Sequence, residues 1–295
     1  MKKSRKIKHS KGSIAFDIFN YLFVGVIAFT MVYPFWYVLV KSVTPFSELI
    51  NSKFVFFPKS VTFEAYSYVM ATDKMLNGLL ISIGVTLAAT VYRLFLTSTA
   101  AYALSKQDLP GRNLIFSLIV FTMFFSGGLI PTYLLIKKLG LINNLLVLIL
   151  PHAVSAYNLI VMRTFFDSLP LEIEESARLD GASYFQIFRK IIIPCSMSSV
   201  ATIALFIAVN TWNAWYEPML YLNKKELWPM ALVIRDILVK SDLDSLNSGY
   251  ESAGYMMSES VKMAMVIIAI VPIMVVYPFL QKYFAKGVMI GAVKA

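Results

Sequence analysis

Six runs of this chain, at 18–40, 76–104, 113–136, 139–162, 191–216 and 263–281, contain almost no Asp, Glu, Lys or Arg; Arg93 alone interrupts them. A helix of about 20 apolar residues crosses the hydrocarbon of a bilayer. Six such runs in 295 residues leave little chain with which to build a soluble core. The composition agrees, with 58% hydrophobic residues, 15% charged and a mean hydropathy of +0.68. A soluble domain carries about 25% charged residues. Because every folded domain exposes a large surface, much of the solvent around this one must be lipid. An ordinary soluble enzyme, a disordered chain and a disulfide scaffold are all excluded. Cys195 is the single cysteine, so no intramolecular disulfide forms. With only His9 and His152 beside it, a His/Cys metal site has too few ligands.

The expected fold is therefore all-α, one transmembrane domain over 1–295 with six spans near 18–40, 76–104, 113–131, 144–163, 195–217 and 262–281. The start Lys2-Lys3-Ser4-Arg5-Lys6 resembles the charged region of a signal peptide. The apolar run after it is too long for a cleaved leader and lacks a small-residue cleavage site, so it reads as a retained helix. The net charge of +10 is a topology signal rather than a nucleic-acid signal. Placing the N-terminal arm (Lys2, Lys3, Arg5, Lys6, Lys8, Lys11) inside puts fifteen Lys and Arg inside against eleven outside. Both termini are then expected on the inner side. The segments 41–75 and 218–262 read as outer loops, the second rich in Ser, Asp and Asn.

The inner loop at 167–194 is the most charged stretch outside that arm. Pro170 suits a helix start, and Glu172, Glu174 and Glu175 sit in the first turn, where the macrodipole favours anions. Glu174 and Arg178 are four apart, in the better orientation for a pair. Asp180-Gly181 reads as a helix stop. A second helix follows with Phe185, Phe188 and Ile192 expected on one face, and Pro194 marks entry to the fifth span. Such a helix–turn–helix is either a plain connector or a docking element for a soluble partner, since far fewer residues suffice to join two spans.

Glu175-Ser176-Ala177, Asp180-Gly181-Ala182, Phe185, Ile191 and Ile193-Pro194 resemble the EAA loop of ABC importer permeases, with Gly181 four residues after Ala177. Ser176 stands for the first alanine, Ile193 for the usual leucine, and no second proline follows near 198–199. Trp212-Asn213-Ala214-Trp215-Tyr216-Glu217-Pro218 resembles the fifth-span signature of MalG-type carbohydrate permeases. The tail Gln281-Lys282-Tyr283-Phe284-Ala285-Lys286-Gly287, with Gly291-Ala292-Val293-Lys294, is similar to that group's C-terminus. The stretch 125–133, Phe-Ser-Gly-Gly-Leu-Ile-Pro-Thr-Tyr, resembles a subgroup associated with oligosaccharides and uronide-containing glycans.

This resemblance implies a type I ABC importer permease fold in a bacterial inner or plasma membrane. It implies a non-catalytic subunit of a binding-protein-dependent sugar or oligosaccharide importer, forming half of the pathway. The partners implied are a second homologous permease, two ABC ATPase subunits that hold the ATP and Mg, an extracytoplasmic solute-binding protein, and lipid. No cofactor, metal or nucleic acid is expected on this chain, which has no Gly-Lys dipeptide and so no Walker A loop. The ATPase-coupling residues implied are Glu172, Glu175, Ser176, Ala177, Asp180, Gly181, Ala182, Phe185, Ile191 and Pro194. The other solutes open to such a permease are amino acids and peptides.

Pathway candidates are Asn210, Trp212, Asn213, Trp215, Tyr216 and Glu217, because aromatic faces stack on sugar rings and amides bond hydroxyls, although Trp and Tyr also gather at membrane interfaces. Asn143-Asn144, His152 and Asn158 read as glue between helices, and Arg93 as a side chain that either snorkels to the inner surface, the simpler reading, or pairs with a partner helix. Gly127-Gly128 and Pro131 predict a broken third span. A membrane enzyme is disfavoured by the lack of a His-Glu-x-x-His motif or paired intramembrane carboxylates. A secondary transporter is disfavoured by the lone Glu217 and the low number of spans.

Overall fold

The computed structural model describes residues 11–51, 55–247 and 259–292. The basic residues Lys2 to Lys8 and the end of the tail, Val293 and Lys294, lie outside the described residues. The chain divides into two compact units, Met1–Val69 with Tyr250–Ile268, and Met70–Gly249 with Ala269–Ala295.

The first unit is built on α1 (Lys11–Val43), whose apolar part Ala15–Val43 is long enough to span a bilayer. Phe19, Tyr21, Leu22, Phe29 and Met31 are all exposed along it, as lipid-facing side chains are. Its C-terminal end is tied down by polar bonds. The Trp36 indole donates to the Phe56 carbonyl at 3.0 Å, with the Phe57 ring edge-on at 5.5 Å. Ser42 and Tyr66 share a hydroxyl bond of 2.7 Å, and the Thr62 amide donates to the Val43 carbonyl. Short helices α2 (Phe46–Asn51) and α3 (Glu64–Met70) complete this end. Lys41 bonds the Glu259 carboxylate at 2.5 Å.

The second unit is organised around α4 (Asp73–Ser105), a 33-residue helix with buried positions along its whole length. After it come α5 (Arg112–Phe124), α6 (Leu129–Lys138), α7 (Ala156–Asp167), α8 (Leu171–Leu179), α9 (Tyr184–Ile187), α10 (Ile193–Cys195) and α11 (Met197–Trp212). The helices α12 (Tyr216–Tyr221) and α13 (Met230–Asn247) follow, and α14 (Glu259–Ala292) belongs to this unit from Ala269 onward. Helices α7, α11 and α13 pack most extensively on α4. At the α4–α13 contact the added Cβ of any residue replacing Gly78 would lie 3.2 Å from a Val233 methyl, and the Met230 amide donates to Ser82 Oγ at 2.8 Å.

Three described helices are continuous and apolar enough to cross a membrane: Ala15–Val43, Asp73–Ser105 and Glu259–Pro278. Two bent pairs raise that number to five if each counts as one span. Helices α5 and α6 turn by 114° where the sequence places Gly127-Gly128, with Gly128 at φ 85°. The helical run Tyr184–Cys195 meets α11 at 85°.

The fourth apolar run does not form a span-length helix. Within 139–162 only a 3-10 turn, Leu145–Leu148, and the first half of α7 are helical. The reason is side-chain hydrogen bonding, long-range at Asn143 and local at Asn144. Asn143 takes φ 57° and its Oδ1 accepts from the Asn223 and Lys224 amides at 2.6 and 3.1 Å. Asn144 caps the 3-10 turn by accepting from the Leu146 amide. Short amides that bond nearby backbone compete with the helical ladder. These asparagines thus shape a turn instead of gluing helices together. Within the segment 218–262, α13 is helical and buries Met230, Leu232, Val233 and Ile234. Burial of that apolar face outweighs the polar residues between its members.

Candidate functional site

Two places in the second unit gather polar chemistry, one at the C-terminal end of α4 and one along its middle. At the first, α8 stops in a Schellman motif. The Ala182 amide donates to the Ala177 carbonyl at 3.0 Å and the Gly181 amide to Arg178 at 2.9 Å, with Gly181 at φ 81°. Glycine takes this left-handed conformation without a Cβ penalty. Ser183 then opens α9 with a reciprocal capping box to Gln186. A π-helical turn, Phe188–Ile192, carries the chain to α10.

This loop is anchored by one apolar cluster and one buried carboxylate. Ala177, Ile187, Phe188 and Ile192 pack against Ala101 and Tyr102 of α4 and Met162 and Phe166 of α7. Glu174, 7% exposed, accepts from the Tyr102 hydroxyl at 3.1 Å, from Arg178 at 3.4 Å and from Lys106. Lys106 also sits 4.2 Å above the Tyr102 ring, and Arg178 lies 4.4 Å from the Tyr184 ring. The carboxylate is thus answered by two cations and a hydroxyl, which offsets its desolvation. Facing outward are Glu172, Glu175, Ser176, Asp180 and Gly181, with Leu179 at 90% and Phe185 at 61% exposure.

The second place is a cavity of about 490 Å³ lined by α4, α7, α11 and the irregular segment before α7. Arg93 is at its wall and is buried, 7% exposed. It does not snorkel. Its Nη2 donates to the Leu148 carbonyl at 2.7 Å, its Nε to Ile149 at 3.2 Å, and Nη1 reaches Thr211 Oγ1 at 3.5 Å. The cause is the broken fourth run: carbonyls released from a helix in an apolar environment need a donor, and Arg93 supplies it. His152 and Asn158 line the same cavity rather than a helix–helix seam. His152 Nε2 and Glu217 Oε1 are 2.7 Å apart.

With this geometry in hand, the chain can be compared with known proteins. The family model for binding-protein-dependent transport system inner membrane components matches residues 12–290. The chain belongs to this family. LplC of Bacillus subtilis (strain 168) is 42% identical over 286 residues, with 97% of each chain covered. YtcP of the same organism, a polygalacturonan/rhamnogalacturonan transport system permease protein, is 41% identical over 284 residues, covering 95% of this chain and 98% of its own. A chain in the crystal structure of a bacterial ABC transporter involved in the import of the acidic polysaccharide alginate superposes with a TM-score of 0.85 at 32% identity. That match covers 95% of this chain and 100% of the other.

In this inner membrane component the residues singled out for coupling divide by burial. Ala177 is buried in the cluster, Ala182 and Ile191 pack against it, and Pro194 is exposed beside the bend into α11. Phe185 does not share the buried face of Phe188 and Ile192, because it lies in the first turn of α9, which reaches past the cluster. The pathway candidates divide as well. Asn210 lines the Arg93 cavity. Trp212 is buried and its indole donates to the Ala269 carbonyl at 3.1 Å, while the Asn213 amide donates back to Val209. Trp215 holds Arg235 at 3.9 Å from its ring and meets Tyr216 edge-on. Glu174 was read from the sequence only as a first-turn acid and a partner of Arg178, and Lys106 and Tyr102 were not singled out. The Glu174–Arg178 spacing was the one available signal, and nothing local pairs Glu174 with residues about 70 positions earlier.

Proposed function

We propose that this permease subunit forms half of the pathway of an ATP-driven sugar or oligosaccharide importer, with α8 to α10 as the element that receives the ATPase. A second homologous permease would complete the pathway, two ATPase subunits would dock on the inner side, and an outer binding protein would deliver the solute. ATP hydrolysis takes place on the partner chains. The carbohydrate assignment is supported by YtcP and by the alginate importer, both named for transport of polysaccharides.

The observation that carries the coupling role is the two-sidedness of α8. One side is locked to α4 through Glu174, and the other presents Leu179, Glu175 and Asp180 with no cover from the described residues. A stiff lever with a free acidic and apolar face transmits a rigid-body displacement into α4 and α7, which is how a bistable element is biased from a distance. Both termini are placed on the inner side in this reading.

The test is crosslinking in the assembled complex. Leu179→Cys in a Cys195→Ser background should crosslink to an ATPase subunit, with a yield that changes between ATP-bound and nucleotide-free states. Absence of any crosslink from this 90% exposed position would end the coupling assignment. Uptake driven by a proton or sodium gradient without ATP would end the importer assignment.

A further inference from the structure

The segment that joins α6 to α7 is held unevenly. In its first half the Asn143 amide donates to the Tyr221 carbonyl at 2.9 Å, Arg93 donates to the Leu148 and Ile149 carbonyls, and Val147 and Leu148 are buried. The Leu150 amide still donates to Leu146, but Pro151, His152, Ala153 and Val154 make no backbone hydrogen bond with any described residue. Pro151, His152 and Val154 are also exposed. The polar contact that ties this stretch down is His152 Nε2 to Glu217 Oε1, at 2.7 Å. An imidazole Nε2–H donates to a carboxylate in the charged form and in one neutral tautomer, so the bond does not require a charged ring. A short stretch with exposed backbone and so light a tether is the kind that opens locally at little cost.

The stretch borders the cavity of about 490 Å³, which His152 and Ser155 line from this side and Thr97 from α4. Thr97 is 1% exposed, and its hydroxyl has no hydrogen-bond partner among the described residues. Arg93 lies about 18 Å along α4 from Ser105, which puts Leu148, Ile149 and the residues just after them at membrane depth. Irregular backbone at that depth needs water or protein beside it rather than lipid, and the cavity supplies such a face. The other side of the contact is fixed. Glu217 sits in the first turn of α12, next to the fully buried Pro218. Arg93 acts on it electrostatically without a direct ion pair, and the two line a gap of about 20 Å³. Departure of His152 therefore does not isolate the Glu217 carboxylate, because a charge fixed on α4 still answers it.

We propose that residues 151–154 form a strap across the rim of this cavity, latched by His152 on Glu217, and that the latch releases during each transport cycle to open the buried α4 wall to water. The inference rests on the importer reading above and adds a moving part to it. A short segment that swings between two fixed ends is an ordinary hinge motion. One fixed end is the Leu148–Ile149 pair held by Arg93, and the other is the first turn of α7, where the Leu159 amide donates to the Ser155 carbonyl.

The test uses the purified, assembled importer with Cys195→Ser, so that added thiols are the only ones on this chain. Thr97→Cys reports on the cavity wall through its rate of labelling by a membrane-impermeant methanethiosulfonate. Adding His152→Ala, a change at an exposed position, should raise that rate tenfold or more, whereas His152→Gln keeps an N–H donor and should stay within threefold of the parent. A rate unchanged within twofold in His152→Ala overturns the inference. The release step is tested with His152→Cys and Glu217→Cys joined by a short bis-methanethiosulfonate. Bridging should cut ATP hydrolysis by the reconstituted importer at least fivefold, and reduction should restore it; hydrolysis that continues at the unbridged rate overturns the inference. Where the unbridged pair hydrolyses no ATP, labelling of Thr97→Cys with and without ATP decides instead: turnover should speed it, and equal rates overturn the inference. A wild-type complex that hydrolyses no ATP would reject the importer reading, while the labelling rates of the His152 variants would still judge the latch.

Discussion

Glu174 and Arg93 are both 7% exposed, and both meet α4, but their surroundings differ in kind. The carboxylate at the end of α4 is met by Lys106, Arg178 and the Tyr102 hydroxyl. The guanidinium in the middle of α4 is met by two carbonyls and a distant hydroxyl. A buried charge that its own chain neutralises makes a joint. Arg93 instead bonds neutral groups, and the carboxylate that acts on it electrostatically, Glu217, does so without a direct ion pair. The difference separates a buried charge held by direct ion pairs from one held by hydrogen bonds to neutral groups.

That contrast can be broken most sharply at Gly181. Proline fixes φ near −65° and has no N–H, so Gly181→Pro removes both the left-handed turn and the bond to the Arg178 carbonyl. Uptake by the reconstituted importer should be abolished while the subunit still inserts in the membrane; normal uptake would show that the loop need not be stiff. Next in size is Glu174→Ala. It leaves Lys106 and the Tyr102 hydroxyl buried without their acceptor, and removal of one member of a buried pair costs about 3 kcal/mol. A clear fall in the unfolding midpoint of the purified complex is expected, and an unchanged midpoint would mean that Glu174 is no joint. The smallest effect is expected at the other charge. Thr211→Val deletes only the 3.5 Å contact to Arg93, for a loss of about 0.5 kcal/mol. A loss as large as that of Glu174→Ala would show that Arg93 depends on this contact as strongly as Glu174 depends on its ion pairs, and the two charges would no longer differ.

Much of the loop was legible in the residues themselves. Pro170, the first-turn glutamates, Asp180-Gly181 and the Glu174–Arg178 spacing all encode local geometry, and local geometry is what periodicity and capping rules read. Phe185 was misplaced because which turn of a helix meets a cluster depends on the partner helices. The break between α5 and α6 was legible at Gly127-Gly128 for the same local reason. The fourth run was not, because its apolar composition is compatible with a span. Asn143, accepting from amides about 80 residues later, decides otherwise. The fate of Arg93 follows from that break: without released carbonyls at Leu148 and Ile149 a snorkelling arginine was the simpler expectation.

The sequence by itself therefore determined the solvent, the helical class and the start and stop of the loop at 167–194, since each depends on composition or on residues within a few positions of one another. Only the tertiary structure decided which partners meet the buried charges. The partners of Glu174 and Arg93 are separated from them by some 55 to 118 positions for all but one bond, and burial converts such distant contacts from minor electrostatics into the dominant ones.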